Sequence, residues 1–463
     1  MPNRGHSDAA TSSALADFHW EPQPEAAEFV GHLAQSLVSR CDPVQKLADR
    51  MHAETGTRLF DFLDHIVMPD DGHLSHRLAG LGFESTSDGD WTVWHYPHGL
   101  LPEIHTAPAA SARLAIKVES VTDFLLAQGL DDRTIIAGLP GSPLRKARLW
   151  RGADFEFWAV ERHGTLAHAP IAAPARKIEA ALRNFEAFRR RRRHFDDPRQ
   201  GFTHAAELID SSARDLGIDW TCDLFFAAER EFWQRRNRAA QIQKGRQDAL
   251  GLGWANHDHH TYRSSRQHFA ALIDVLELLG FVCRERFYGG RESGWGAQVL
   301  EQPNCQIVIF ADVDMTPAEV SGDFAHAGLP PREYLGTVGL WCQLHGEAFL
   351  EAGMHHLECR FDFETARRQL AELGTESMRP FTDFAYLKQS FTAGEIWPVA
   401  PERIERTLKA GLITAEQAAQ FRQFGALGSH LEILERDQAY KGFNQTGISE
   451  IIAETDPRNR RYE

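Results

Sequence analysis

The chain has 463 residues, a formal net charge of −15 and a pI near 5.9, with 43% hydrophobic and 25% charged residues. This length predicts more than one domain and a sizeable core, and the acidic balance argues against nucleic acid or an anionic membrane as the main partner. The six cysteines are scattered without a CxxC pair, no apolar run reaches 18 residues, and the first twenty residues lack a signal-peptide pattern. We therefore expect a soluble protein of the reducing cytoplasm that does not span a membrane.

Near residue 57 the sequence pattern changes from helical apolar spacing to a succession of predicted strands. Residues 1–24 are rich in Ala, Ser, Pro and Asp, as is typical of a loose tail, and helical apolar spacing follows up to residue 55. We assign residues 1–57 to a tail and helices and 58–173 to a βαβββ-repeat domain. In that domain we predict strands at 60–68, 91–94, 101–106, 113–119 and up to 155–162, with helices at 73–80 and from 121.

The alternation of predicted strands and helices stops at residue 174. Residues 174–250 are charged and contain few Gly or Pro, which predicts a helical connector. Five consecutive arginines lie within it at 189–193. An anion-binding patch is one interpretation of this run, and a solvated helix turn beside a domain interface is the simpler one, because Asp196 and Asp197 follow.

Predicted strands and helices alternate again in residues 251–463, which we assign to a second βαβββ-repeat domain. Strands are predicted at 258–263, 297–300, 305–312, 355–361, near 386–392 and at 430–436, with helices at 269–279 and 364–373. Residues 399–425 read as an inserted helical hairpin. Short stretches of the two halves resemble each other, 63–66 with 257–260 and 157–162 with 431–436, so we expect an internal duplication and an α+β fold.

Two imidazoles and a carboxylate fall on three of the predicted C-terminal strands. Alternate residues of a strand share a face, which places His259 with Arg263, His356 with Glu358 and Arg360, and Glu432 with His430. Buried charges need partners, and His259, His356 and Glu432 together would form a facial triad for a divalent iron. Taken singly, any of the 23 histidines is more often an exposed or hydrogen-bonded residue than a ligand.

Four segments in this order resemble a known enzyme family, that of the 2-oxoadipate dioxygenase/decarboxylases (hydroxyglutarate synthases). The segments are Asp258-His259-His260-Thr261-Tyr262-Arg263, His356-Leu357-Glu358-Cys359-Arg360, Leu387-Lys388-Gln389-Ser390-Phe391 and Leu431-Glu432-Ile433 with its continuation to Asp456. The same order also resembles 4-hydroxyphenylpyruvate dioxygenase. The likeness spans about residues 255–457, and Lys388 departs from the residues more usual at its position, which affects the expected substrate more than the metal.

The resemblance implies a fold of paired βαβββ modules forming two open barrels, the vicinal-oxygen-chelate fold, with Fe(II) in the C-terminal half. It implies His259, His356 and Glu432 as metal ligands, and a 2-oxo acid and dioxygen as small-molecule partners, with loss of carbon dioxide. Arg263 and Arg360 would clamp substrate carboxylates, unless they form structural salt bridges, for instance with Glu358. Gln389 would orient the substrate.

The N-terminal half keeps His65 but has Arg113 and Trp158 where the other ligands would lie, so we expect it to have lost its metal. A second site of His65, Glu103 and His105 is a less favoured alternative. Three rival functions stay open: an enzyme acting on an aryl 2-oxo acid, a metal-dependent isomerase or lyase of the same superfamily, and a non-catalytic binding protein. The identity of the metal and the oligomeric state, with a homodimer one option, also stay open.

Overall fold

The computed structural model describes residues 19–70, 72–108, 110–130, 133–170, 172–289, 294–332, 334–444 and 448–458. Most of the predicted tail, residues 1–18, lies outside the described residues. None of the described helices is long and apolar enough to cross a membrane.

The N-terminal half is built around one mixed β-sheet. Its strands are β1 (Leu63–Pro69), β2 (Glu84–Asp88), β3 (Trp91–His95), β4 (Glu103–Ala107), β5 (Ala112–Lys117), β6 (Ile136–Ala137), β7 (Leu144–Arg151) and β8 (Phe155–Arg162), and its helices are α1 (Pro24–Val38), α2 (Asp42–Arg50), α3 (His73–Gly80) and α4 (Val121–Ala127). The strands pair in the order β2-β3-β4-β1-β5-β8-β7-β6. The buried faces of α1 and α2 belong to the same apolar core as this sheet. A 3₁₀ turn occupies the start of the strand predicted at 60–68, so β1 begins at residue 63.

The connector consists of α5 (Ala175–Arg189), α6 (Pro198–Leu216), α7 (Ile218–Gln234) and α8 (Arg238–Ala249). The arginine run begins at the last residue of α5 and is exposed at Arg189, Arg190 and Arg192, whereas Arg191 is only 6% exposed. Arg191 and Arg193 both bind the carboxylate of Glu229 on α7. The simpler interpretation of a solvated turn therefore fits the three exposed arginines but not Arg191 and Arg193, which a buried acid neutralises.

The C-terminal half repeats the architecture of the first. Its strands are β9 (His257–Arg263), β10 (Val282–Tyr288), β11 (Trp295–Gln302), β12 (Ile307–Asp314), β13 (His356–Arg360), β14 (Thr382–Phe384), β15 (Leu387–Phe391), β16 (Ile396–Trp397), β17 (Ala426–Leu427) and β18 (His430–Arg436). Its helices are α9 (Phe269–Leu278), α10 (Pro317–Val320), α11 (Phe324–Ala327), α12 (Thr337–His345), α13 (Phe363–Glu372), α14 (Pro401–Lys409), α15 (Ala415–Phe424) and α16 (Ile448–Glu454). The main sheet has the order β10-β11-β12-β9-β13-β18-β15-β14.

The two strand orders correspond position by position, and each sheet is two βαβββ modules joined side by side. The α+β fold of paired modules expected from the sequence is therefore confirmed, with both sheets open. Gly280 ends α9 with a φ of 85°, a conformation that favours glycine at a helix end. The hairpin predicted at 399–425 is present as α14 and α15, and the short pair β16–β17 joins its two ends.

Candidate metal centre

Strand register brings three carboxylate and imidazole groups into one row across the centre of the C-terminal sheet. Strand β13 lies between β9 and β18, with Glu358 opposite His259 on one side and opposite Glu432 on the other. His356 lies two residues before Glu358 and so shares its face. The nearest ligand atoms of these four side chains all lie within 4.8 Å of one another, and all four residues are buried. The predicted triad thus converges at one point.

Glu358 is the fourth member of this cluster, and the sequence analysis did not count it as a ligand. Its side chain is fully buried, and its carboxylate contacts other members of the cluster: Oε2 lies 2.5 Å from Nε2 of His259, and the carboxyl group of Glu432 is within hydrogen-bonding reach. Its placement two residues after His356 was the available signal, but the same spacing also fitted a salt bridge to an arginine.

Burial and the neighbouring charges shift the pKa values of Glu432, His259 and His356. Burial and the negative charge of Glu358 hold the pKa of Glu432 well above its usual value. Burial opposes protonation of His259, but the carboxylates of Glu358 and Asp258 outweigh it and raise the pKa of that imidazole. Burial and the neighbouring His259 charge hold the pKa of His356 well below its usual value. Two carboxylates and two imidazoles packed this closely favour a bound cation over bound protons.

Hydrogen bonds from outside the cluster fix the orientation of its members. The amide of Gln389 donates to Glu432 Oε1 at 3.1 Å, and the hydroxyl of Thr382 donates to Gln389 Oε1 at 2.9 Å. Asp258 Oδ1 lies 3.2 Å from His259 Nδ1, an arrangement that orients metal-binding histidines in many proteins. Gln389 therefore positions Glu432, and its predicted contact with a substrate stays a prediction.

Aromatic rings surround the cluster. The ring centroids of Phe310 and Phe443 lie 4.8 and 5.1 Å from that of His259, and Phe391 lies 5.0 Å from His356. These rings exclude water from the cluster and lower the local dielectric, which strengthens the binding of an ion by its carboxylates.

The two predicted substrate-binding arginines lie at opposite ends of the site, because β9 and β13 are antiparallel. Arg263 is fully buried, and none of its guanidinium nitrogens has a hydrogen-bond partner. It lies opposite Asp312 on the neighbouring strand, and burial raises the pKa of Asp312 to about 7. The side chain of Arg360 is 30% exposed, and its Nε lies 3.6 Å from Asp258. Neither arginine forms the salt bridge to Glu358 that we had considered.

The residues present fit a divalent transition metal. Two neutral imidazoles and two carboxylates are the donor set that Fe, Mn and Zn accept in proteins. The close approach of two buried carboxylates, Glu358 and Glu432, is the strongest sign, since like charges in the interior are very costly unless a cation neutralises them.

The N-terminal half has other residues at two of the three positions that correspond to the predicted ligands. In the matching register, His65 lies opposite Ala115 on β5, which in turn lies opposite Trp158 on β8. Arg113 occupies the position that corresponds to His356. Of the second site considered from the sequence, Glu103 and His105 do lie together, but with His168 as the third member. His65 stacks on His105 instead, with its Nδ1 bound to Asp64.

No protein-family model matches the chain, and no curated protein matches it. Among solved structures, the chain is similar to a triple mutant of 4-hydroxymandelate synthase from Streptomyces coelicolor, at 14% identity over 87% of this chain and 99% of that one, with a TM-score of 0.29. It is also similar to methylmalonyl-CoA epimerase from Mycobacterium tuberculosis, at 14% identity over 39% and 88% of the two chains, with a TM-score of 0.23. A third similar structure is the protein YdcJ from Shigella flexneri, at 12% identity over 60% and 81%, with a TM-score of 0.24. At TM-scores this low the similarities carry no argument about activity, and the fold rests on the strand order described above.

Proposed function

We propose that this protein is a metal-dependent enzyme, an Fe(II) dioxygenase that acts on a 2-oxo acid with loss of carbon dioxide. The observation that carries the proposal is the buried cluster of His259, His356, Glu358 and Glu432, in which two carboxylates and two imidazoles lie within ligand distance of one another. The resemblance of the four strand segments to 2-oxoadipate dioxygenase/decarboxylases supplies the choice of iron and of substrate class. The scattered cysteines, all free, support a cytoplasmic location.

His259, His356 and Glu432 would hold the metal, which when bound supplies a site for chelating the carboxylate and keto oxygens of the substrate and for activating dioxygen. The chain itself would do the rest. Gln389 would hold Glu432 in its ligating orientation, and the three phenylalanine rings would keep bulk water away.

Arg263 would bind the distal carboxylate of a dicarboxylic substrate. It is buried on the same face of β9 as His259, and its positive charge is among the influences that lower the pKa of His356. A buried guanidinium without hydrogen bonds is costly unless an anion pairs with it. This supports a 2-oxo dicarboxylate over a monocarboxylate.

Two alternatives each have an observation in their favour. Phe310, Phe391 and Phe443 would equally suit the ring of an aryl 2-oxo acid. If Glu358 is a fourth ligand, only two positions of an octahedral metal remain, enough to chelate a substrate but not dioxygen as well. That arrangement would favour an isomerase or lyase.

Oxygen uptake separates these functions. The anaerobically purified, Fe(II)-loaded protein should consume oxygen and release carbon dioxide in equal amounts with 2-oxoadipate, and should react slowly with 4-hydroxyphenylpyruvate. The His356→Ala variant should lose both signals, while the exposed-site control His76→Ala should keep them. A reverse substrate preference would establish the aryl acid, and conversion of the 2-oxo acid without oxygen would overturn the dioxygenase in favour of an isomerase or lyase.

A further inference from the structure

A second cluster of ligand-type side chains lies in the N-terminal half. Glu103 and His105 are two residues apart on β4 and share a face, and His168 comes from the segment after β8. Glu103 Oε2 lies 3.2 Å from His105 Nε2 and 3.6 Å from His168 Nε2. One ligand atom from each residue lies within 4.8 Å of the other two.

The segment that carries His168 is held in place by hydrogen bonds. Arg162 donates to the carbonyl oxygens of Thr165 and Ala167 at 3.1 and 2.7 Å, and Lys146 donates to the carbonyl oxygen of His168 at 2.6 Å. The backbone at His168 is thereby held in place. Its Nε2 faces Glu103, and its Nδ1 is buried without a hydrogen-bond partner, so the imidazole is available as a metal ligand.

His105 is held with similar precision. His65 stacks on it with a centroid separation of 4.7 Å and an angle of 10° between the rings. Asp64 fixes His65 through Nδ1 at 2.6 Å and is itself paired with Arg162. The same arginine therefore supports both histidines of the cluster.

This cluster is not a remnant of a centre like the C-terminal one. In the matched registers, Glu103 and His105 lie opposite His65 and Val67, just as Val308 and Phe310 lie opposite His259 and Thr261. Glu103 and His105 thus lie on β4, on one side of β1, whereas the C-terminal ligand-type groups lie on β9 and on the strands β13 and β18 to its other side. The residues of the C-terminal half that correspond to Glu103 and His105 are the apolar Val308 and Phe310.

We propose that Glu103, His105 and His168 bind a divalent transition-metal ion. Two imidazoles and one carboxylate are a common donor set for Zn²⁺, Mn²⁺ and Fe²⁺, with positions left for water or an anionic ligand. Glu103 also lines a cavity of about 260 Å³ between the two halves, together with Asp64, Arg162, Asp258, Arg360 and Arg436. An ion bound here would lie at the wall of that cavity, and the proposal does not depend on the function proposed for the C-terminal centre.

Cobalt binding tests the site, since Co²⁺ takes the same ligands and reports them by visible absorption. The His356→Ala variant, which lacks a ligand of the C-terminal centre, is equilibrated with Co²⁺, desalted and analysed for metal by mass spectrometry. It should retain about one Co²⁺ per chain through the N-terminal ligand set. Adding His168→Ala should abolish this binding together with the absorption band, and adding the milder Glu103→Gln should weaken it at least about tenfold.

His76→Ala, which removes an exposed histidine of α3, is the matched control and should bind Co²⁺ like its parent. Circular dichroism and the melting temperature verify that each variant is folded. Equal Co²⁺ content in His356→Ala with and without His168→Ala would overturn the proposal, as would a failure of His356→Ala to retain any Co²⁺.

Discussion

Glu358 lies in the interior of the C-terminal sheet beside a second buried carboxylate, that of Glu432, whose pKa its charge raises. In the metal-free protein this negative charge is destabilising, because burial removes water and the two carboxylates repel each other. With a divalent cation bound among His259, His356 and Glu432, the charge of Glu358 would instead stabilise the folded protein. The same residue should therefore affect the two forms of the protein in opposite directions.

We predict that Glu358→Gln stabilises the metal-free protein by about 1–3 kcal/mol and weakens Fe(II) binding by at least about tenfold. Urea unfolding with and without Fe(II) measures both effects. Glu435→Gln on the same sheet is the control, because Glu435 accepts hydrogen bonds from Lys388 Nζ and the Phe363 amide, both at 2.7–2.8 Å. That variant should destabilise both forms. A destabilised metal-free Glu358→Gln protein would contradict the role given to this charge.

Arg263 and Arg360 are distinguished by their position in the sheet. We predict that Arg263→Met lowers kcat/KM for a 2-oxo dicarboxylate by at least about 30-fold, equivalent to about 2 kcal/mol for a buried charged hydrogen-bond partner, with little change in Fe(II) affinity. Arg360→Met, at the more exposed end, should have a smaller effect. Steady-state kinetics and metal titration of both variants check this. A larger loss in Arg360→Met would place the distal carboxylate at the cavity between the two halves.

At the scale of elements, α7 joins the arginine run of the connector to the C-terminal sheet. Glu229 on α7 binds Arg191 at 3.0 Å and Arg193 at 2.5 Å, and it accepts a hydrogen bond from the Tyr262 hydroxyl on β9 at 3.2 Å. Its side chain is 1% exposed. One carboxylate therefore compensates two arginines and fixes the back of the strand that carries His259.

We predict that Glu229→Gln lowers the free energy of unfolding by about 3–5 kcal/mol, because it leaves buried guanidinium charge unpaired. Glu231→Gln, two residues along α7, is the matched control. Glu231 is 37% exposed and pairs with Arg189 and Arg235 on the surface, so its loss should cost less than about 1 kcal/mol. Chemical denaturation of the two variants compares them. Equal stabilities would show that the buried pairs contribute no more than the surface ones.

At the scale of the whole molecule, His163 connects the N-terminal sheet to the connector. It follows β8 and lies 3.0 Å from Glu161 on that strand and 2.8 Å from Asp223 on α7. Burial opposes its protonation, but the two carboxylates outweigh burial and raise the pKa of His163 to about 10. The contact is thus an imidazolium between two carboxylates.

This raised pKa makes the contact dependent on pH. Below about pH 6.5 the imidazole is protonated in the folded and the unfolded chain, so its contribution is fully present. As pH rises toward 10, folding must take up a proton and the contribution is lost. We predict that wild type is more stable than His163→Gln by about 2 kcal/mol at pH 6, with the difference shrinking as pH rises. Denaturant unfolding across this range measures it, with His76→Gln as control, and a difference independent of pH would contradict the prediction.

The order of the strands and helices, and three of the four residues of the C-terminal cluster, could be predicted from the sequence alone. Alternation along single strands was enough to place His259 on the same face as Arg263, His356 on that of Glu358 and Glu432 on that of His430. Glycine at helix ends was enough to place α3 and α9. The faint parallels between 63–66 and 257–260 were enough to reveal the duplication. These features are local, because a strand's two-residue period and a helix's end are set by neighbouring residues.

Only the tertiary structure decided which faces meet. Register between β9, β13 and β18 brought Glu358 into the candidate metal centre, and the antiparallel pairing of β9 and β13 separated Arg263 from Arg360. The packing of α7 placed two arginines of the run, Arg191 and Arg193, in a buried ion-pair network around Glu229. The segment after β8 brought His168 to Glu103 and His105 across about 60 residues of chain, because contacts between distant segments depend on pairing and packing that no local pattern encodes.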